Sequence, residues 1–253
     1  METLPISVLL LARDEASRLA VLLPRLDFAS EVVVVVDSAS RDDTSRVASA
    51  AGARVFERAL EGFGAQRQFA LARCREPWVL WLDADEVPDE AALAAIRTAV
   101  RSPGEVRGFR LLRRGWFMGR RMRFCGWQDE RITRLFRREG ASFDDAPVHE
   151  RLRLEGPQRD LDGVLEHHSY ESFEVCRTKL VDYARRGAES ARRRGRRAAA
   201  PDLVLRPLGR FVRQYVLQLG VLDGGHGLAL CLYSAAQVFL REFELWSSAH
   251  ARS

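Results

Sequence analysis

The chain has 253 residues, of which 47% are hydrophobic and 30% are charged, so it can bury a sizeable core and is not a disordered chain. Its net charge is +5, and among 40 basic residues Lys179 is the only lysine. Planar guanidinium groups suit phosphate and carboxylate partners. The composition therefore predicts an anionic partner, which could be an acidic substrate, a phospholipid surface or a nucleic acid.

The four cysteines lie far apart and form no C-x-x-C pair, so the sequence signals neither a zinc site nor a disulfide framework. The sequence enters a strand-like segment directly, without the pattern of a signal peptide. No stretch reaches the roughly 18 to 20 apolar residues that span a bilayer. We therefore expect a cytoplasmic protein.

Apolar runs of strand length alternate with helical patterns over the first hundred residues. The runs cover residues 6–11, 32–36, 53–56 and 78–82, and the second is rich in valine. This alternation predicts a doubly wound α/β domain with a mostly parallel sheet. Ligands of such sheets bind outside the carboxyl ends of the strands.

Carboxylates follow three of these runs, at Asp14 and Glu15, at Asp37, and at Asp83 and Asp85. Strand side chains alternate between faces, so the last two should point the same way. Two hard oxygen ligands suit a divalent cation, Mg²⁺ or Mn²⁺, that also holds phosphate oxygens. The chain has neither G-x-G-x-x-G after its first strand nor a Walker A sequence, so dinucleotide and P-loop sites lack their glycines.

A simpler interpretation of the Asp83-Ala-Asp85 segment is a solvated turn. Asp89 would then cap the following helix. In the metal-binding interpretation, Glu86 is expected to do no more than begin that helix. A short Asp-x-Asp pattern alone cannot decide between these readings.

Three segments in this order, residues 6–15 (ISVLLLARDE), 34–42 (VVVDSASRD) and 82–86 (LDADE), resemble the nucleotide-sugar-binding half of family-two glycosyltransferases with the GT-A fold. The resemblance implies that Glu15, Asp37 and Asp83 contact the nucleoside and that Asp85 binds the metal. Ser38 stands where many relatives have a second Asp, which often contacts the base, so the resemblance does not identify the nucleobase of the donor.

Two further residues of this half are candidates for nucleotide-sugar contacts. Asp14 lies in the loop after the first strand, and Arg67 lies on the helix that Gly62 and Gly64 open. Both belong to the predicted donor site.

Arginines alternate with aromatic residues over 113–124. Single-stranded nucleic acids bind such surfaces by stacking and phosphate neutralisation, but a phosphate-bearing sugar acceptor or a membrane interface suits them as well. The strand-end carboxylates favour the enzyme, and we expect no nucleic-acid partner.

Inverting sugar transfer needs a carboxylate that takes the proton of the acceptor hydroxyl. The family pattern places an acid before a segment like 134–138, which makes Glu130 the first candidate and Asp129 the second. Either acid could instead pair with a neighbouring arginine.

The strings 147–150 (PVHE) and 167–170 (HHSY) narrow the resemblance to lipopolysaccharide core β-1,4-glucosyltransferases. His149 becomes a candidate at the metal or the diphosphate. Its alternative role is to organise a loop.

The region 171–253 is predicted to be helical, following a catalytic domain over 1–170. Apolar residues over 203–222 are interspersed with Arg206, Arg210 and Arg213, and 228–240 is almost wholly apolar. One interpretation is an interfacial hairpin with arginines toward lipid phosphates. The other is a helical pair packed on protein.

Together these patterns predict a metal-dependent, inverting transferase that moves a hexose, with glucose as the first choice, from a nucleotide diphosphate sugar to a lipid-linked oligosaccharide. It would lie peripherally on the inner face of the cytoplasmic membrane. Transfer to a polyprenyl phosphate or another glycan is the alternative within enzymes, and a basic nucleic-acid-binding protein is the alternative outside them. The oligomeric state stays open.

Overall fold

A computed structural model describes residues 3–128, 130–144 and 151–250. Residues 249 and 250 are described without their side chains. The chain forms two compact units. We call Met1–Arg113 with Arg131–His167 the sheet unit, and Arg114–Glu130 with His168–Ser253 the helical unit.

Strands and helices alternate as predicted through the first hundred residues. The elements in chain order are β1 (Leu4–Ala12), α1 (Ala16–Leu22), β2 (Ala29–Asp37), α2 (Thr44–Ala50), β3 (Arg54–Arg58), α3 (Phe63–Leu71), β4 (Trp78–Asp83), β5 (Glu86–Pro88) and α4 (Glu90–Arg101). The remaining strands are β6 (Gly108–Phe117), β7 (Arg120–Arg121), β8 (Glu130–Arg137), β9 (Ser142–Phe143), β10 (Leu152–Arg153) and β11 (Gln158–Tyr170).

Within the described residues, the main sheet has nine strands in the order β3-β2-β1-β4-β8-β6-β11-β5, with β7 paired to β6. The first four strands of this order are parallel, whereas β8 pairs antiparallel with β4 and β5 pairs antiparallel with β11. The expected α/β architecture is confirmed, and the sheet is mixed beyond its parallel half.

The core lies on both faces of β1, β2 and β4, which explains their unbroken apolar runs. Ile6, Val34 and Leu80 face one apolar cluster, and Leu9 and Val79 face the other. All five side chains are fully buried.

Asp89 caps α4, as the sequence predicts, by accepting a hydrogen bond of 2.7 Å from the Ala92 amide, and it also accepts one from Val164 at 3.1 Å. Gly163 makes this approach possible. Its φ is +88°, and a Cβ there would lie 2.0 Å from the Ala92 nitrogen. The helix start is thereby fixed against β11.

The helical unit contains three long helices, α5 (Phe173–Arg193), α6 (Asp202–Val212) and α7 (Gly224–His250). A π-helical turn (Arg213–Leu217) and a 3₁₀ turn (Gly220–Asp223) connect α6 to α7. Among the described residues, no single helix has the length and apolar composition to cross a membrane, whereas Asp202–Leu217 and Gly220–Ser248, bent by 74°, meet that test as a pair.

Candidate functional site

The predicted carboxylates lie together at the carboxyl ends of the parallel strands. In the strand register, Leu11 of β1 pairs with Asp83 of β4, and Ala12 pairs with Val36 of β2. Asp37 follows Val36 and ends its strand. The carboxyl ends of three adjacent strands therefore carry the three acidic clusters, as the sequence predicts.

Asp14 and Glu15 lie in the loop after β1, and both are engaged with the loop after β2. The Asp14 carboxylate accepts a hydrogen bond of 2.6 Å from the Arg41 amide, and the Glu15 amide donates one of 2.9 Å to the Thr44 hydroxyl. The Glu15 carboxylate pairs with Arg18 at 2.8 Å. Asp14 adopts a positive φ of 55°, which its backbone contacts hold in place. The two loops thus form one preorganised rim.

Asp37 is almost fully buried, with 6% of its surface exposed. Its carboxylate accepts hydrogen bonds from the Ala39 amide at 3.1 Å and from Arg13 at 3.3 Å. A depression of about 230 Å³ opens beside it, lined in part by Ser38 and Arg46. A ligand bound at the strand ends could therefore contact the residues around Asp37.

Asp83 lies between two arginines. Arg67 of α3 donates to one carboxylate oxygen at 3.0 Å, and Arg134 of β8 donates to the other at 2.8 Å. Both guanidinium groups stack on Trp81, at 4.4 and 4.2 Å from the ring centroid. Burial acts to raise the pKa of Asp83, but Arg134 and Arg67 outweigh it and hold that pKa below its usual value.

Glu86 does not begin a helix, so this expectation was wrong. It is the first residue of β5 and is fully buried, and its carboxylate accepts hydrogen bonds from Arg134 at 2.5 Å and from the Asp83 amide at 3.2 Å. Burial raises the pKa of Glu86, against the opposing effect of Arg134. Arg134 and Glu86 thus form a buried pair that fixes the Asp83–Glu86 turn.

Asp85 faces His167 of β11. Their Oδ1 and Nε2 atoms are 3.5 Å apart, and the side chains are 13% and 20% exposed. The antiparallel register, which pairs Glu86 with His167, brings them together. Two ligands bound to one ion at about 2.1 Å lie roughly 3 Å apart, so a carboxylate oxygen and an imidazole nitrogen at this spacing fit a Mn²⁺ or Mg²⁺ ion completed by substrate oxygens.

Sequence reasoning missed His167 and selected His149 for the metal. His149 lies outside the described residues, so its role stays a prediction. The described residues contain no cluster of three or more metal-ligating side chains. The sequence signal for His167 was the histidine pair at the end of a long strand.

The candidate base, Glu130, is the first residue of β8 and is exposed. It belongs to the helical unit, whereas Asp83 and Asp85 belong to the sheet unit. Asp129 lies outside the described residues. The choice between the two acids stays a prediction.

A doubly wound domain with an Asp-x-Asp turn at its strand ends is the arrangement of GT-A glycosyltransferases, and comparisons with known proteins agree. Residues 22–138 match the model of "Glycosyl transferase family 2". A lipopolysaccharide core biosynthesis glycosyltransferase, LpsC of Rhizobium meliloti, is 27% identical over 94% of this chain and 93% of its own. An uncharacterized glycosyltransferase of Rickettsia prowazekii is 24% identical over 93% of this chain and 85% of its own.

Among solved structures, a mannosyltransferase from Pyrobaculum calidifontis in complex with GDP-Man and Mn²⁺ superposes with a TM-score of 0.51. It is 14% identical, and the match covers 96% of this chain and 88% of that one, so the likeness concerns the fold. The fold, the family match and the whole-length relatives agree. Residues 22–138 match the family-two model, and the protein is a glycosyltransferase.

Proposed function

We propose that the protein transfers a hexose from a nucleotide diphosphate sugar to a lipid-linked glycan of the lipopolysaccharide core type, with a divalent cation bound by Asp85 and His167. The observation that carries the proposal is the Asp85–His167 pair beside the fixed Asp83–Glu86 turn at the strand ends. Glucose is our first choice of hexose, from the resemblance stated above.

The relatives support the two substrates. The mannosyltransferase with the similar fold is in complex with a nucleotide diphosphate sugar and Mn²⁺, and the relative from Rhizobium meliloti is named for lipopolysaccharide core biosynthesis. Both relatives match this chain over nearly its whole length. The donor and the acceptor of the proposal are carried over from them.

The residues at the strand ends have different proposed roles. Asp85 and His167 would hold the cation, which when bound offsets the negative charge of the departing diphosphate. Both oxygens of Asp83 are held by arginines, so this carboxylate is fixed in position and can accept hydrogen bonds from a ribose hydroxyl. Asp37, Asp14, Glu15 and Arg67 complete the proposed donor site.

The acceptor side needs a base. Glu130, or Asp129, takes the proton of the acceptor hydroxyl while the hydroxyl oxygen forms a bond to the anomeric carbon. The bond from that carbon to the diphosphate breaks, and the nucleoside diphosphate leaves with the electron pair. A single displacement of this kind inverts the anomeric configuration.

A thermal-shift titration tests the cation site and the donor together. Mn²⁺ with a nucleotide diphosphate sugar should raise the melting temperature of the full chain, since a ligand that binds the folded state stabilises it. His167→Ala should weaken the response to Mn²⁺ by about tenfold or more in concentration. His168→Ala, a change at the adjacent histidine that stacks on Trp116, is the matched control.

An unchanged Mn²⁺ response in His167→Ala would remove the cation site from the proposal. The acceptor is tested separately, with purified protein, a radiolabelled donor and two acceptors. We expect transfer to a lipopolysaccharide core acceptor and none to polyprenyl phosphate. The reverse result would replace the acceptor while leaving the donor site in place.

A further inference from the structure

Exposed apolar side chains are concentrated in the helical unit. Among the described residues, 18 large hydrophobic side chains are exposed, and Val21 is the only one of them in the sheet unit. Thirteen of the other 17 lie between residues 204 and 243. A soluble domain scatters such residues singly, so a concentration of this size marks an interaction surface.

One part of this surface is a stripe along α6 and the turn after it. Val204, Leu208, Val212 and Val216 follow one another at intervals of four residues, and each is between 41% and 65% exposed. Side chains at this spacing lie on one face of a helix. No residue of α6 is buried, although the helix contacts α7.

The second part is the corner between α6 and α7. Its four apolar side chains are exposed as follows: Leu217 73%, Leu219 48%, Val221 48% and Leu222 59%. Apolar residues at the tip of a turn are costly to leave in water, because burial of apolar surface is favourable.

The corner is held rigidly. The buried Asp223 carboxylate accepts hydrogen bonds from the Phe124 amide at 2.9 Å and the Arg123 amide at 3.2 Å. Gln214 donates to the Cys125 carbonyl at 3.0 Å, and the Cys125 amide donates to the Gln218 carbonyl at 3.0 Å. The backbone of the corner is therefore held by hydrogen bonds, and its leucines are exposed without any unfolding of the helix end.

The positive charge of the helical unit favours an anionic partner for this surface. The helical unit has 18 Lys and Arg residues against 10 Asp and Glu, a net charge of +8, whereas the sheet unit has 22 against 25. At 3.6 residues per turn, Arg213 lies within about a third of a turn of Val212 and Val216 of the stripe. Basic residues beside an apolar helical face match an anionic bilayer, where the apolar side chains enter and the guanidinium groups meet phosphates.

We propose that the helical unit docks on an anionic phospholipid surface, with the corner residues and the α6 stripe dipping into the headgroup region. This names a partner for the helical unit beyond the proposed function, and it does not depend on the donor site. A second copy of the chain is the weaker occupant, since pairing this face with itself would bring two basic units together.

Flotation of the full chain with vesicles tests the proposal. We expect binding to phosphatidylcholine vesicles that contain phosphatidylglycerol, weak binding to phosphatidylcholine alone, and a decrease as salt is added. Leu217→Glu should lower the affinity by about tenfold or more, because burial of a leucine is lost and an anion is placed against anionic lipid. Leu222→Glu should act in the same direction.

The matched control is Val21→Glu, which makes the same kind of change at a side chain that is 62% exposed in the sheet unit. It should bind vesicles as the unchanged protein does. Melting temperatures of all three variants show whether each still folds, and the Mn²⁺ response reports separately on the donor site.

Two results would overturn the proposal. One is equal vesicle binding by Leu217→Glu, Leu222→Glu and Val21→Glu. The other is a dimer of the unchanged protein that Leu217→Glu converts to a monomer, with no vesicle binding by either, which would assign the face to a second copy.

Discussion

The sheet unit and the helical unit both contain many arginines, but these arginines have different surroundings. In the sheet unit, Arg67 and Arg134 are buried and hold the carboxylates of Asp83 and Glu86. In the helical unit, Arg213 is exposed beside Val212 and Val216, which are exposed as well. The same residue type therefore fixes a site in one unit and borders an interaction surface in the other, and burial makes the difference.

The largest effect is expected from Asp85→Asn in the sheet unit. If Asp85 binds the cation, the change should lower sugar transfer by about a thousandfold, since it removes charge from the cation site. Vesicle binding by the helical unit should not change. Turnover with a labelled donor and vesicle flotation measure the two effects.

Asp162→Asn is the control for this variant, because Asp162 is an exposed carboxylate on the same strand as His167. It should keep full activity. Near-normal turnover in Asp85→Asn would contradict the assignment of the cation to this residue.

Arg134→Ala tests the buried network of the sheet unit. Removing one partner of a buried ion pair leaves uncompensated carboxylates, and Arg134 serves both Asp83 and Glu86, so we expect a loss of about 3 kcal/mol or more in the free energy of unfolding. Urea unfolding measures it. Arg138→Ala, at an exposed position, should cost about 1 kcal/mol or less.

Asp223→Ala is the corresponding test of the helical unit. It leaves the Phe124 and Arg123 amides without their buried acceptor, which should cost about 2 kcal/mol. Hydrogen exchange should quicken at these amides and not in β1 or β4. Asp182→Ala on the exposed side of α5 is the control, and faster exchange throughout the sheet would show that the units are not independent.

The smallest effect is expected from the pH dependence of Glu31. Burial acts to raise its pKa, but hydrogen bonds from Ser7, the Arg75 amide and Arg54 hold the pKa below the usual 4.5. Because the folded-state pKa is lowered, the stabilisation is present above pH 4.5 and is lost as pH falls through the folded-state value.

Glu31→Gln should therefore cost about 1 kcal/mol at neutral pH, and the difference from the unchanged protein should shrink as the solution is acidified. Urea titrations at several pH values give this difference. A difference that stays constant with pH would contradict the charged role of Glu31.

Much of the fold could be predicted from sequence, because the strands of the parallel half are buried on both faces and read as unbroken apolar runs. The meeting of Asp37 and Asp83 at one edge followed from the rule that parallel strands end together. The buried role of Glu86 could not be foreseen. A carboxylate after Asp-x-Asp looks like a helix start until its partner, Arg134 on a distant strand, is known.

Local periodicity and spacing along the chain were enough to predict the α/β class, the resemblance to family-two glycosyltransferases and the order of the acidic motifs. Which residues share a site depends on the folded chain. The antiparallel pairing of β5 with β11 brings His167 to Asp85, and the folded corner after α6 exposes leucines that periodicity alone would have allowed to be buried. Both outcomes depend on contacts between residues far apart in the chain, which no local pattern encodes.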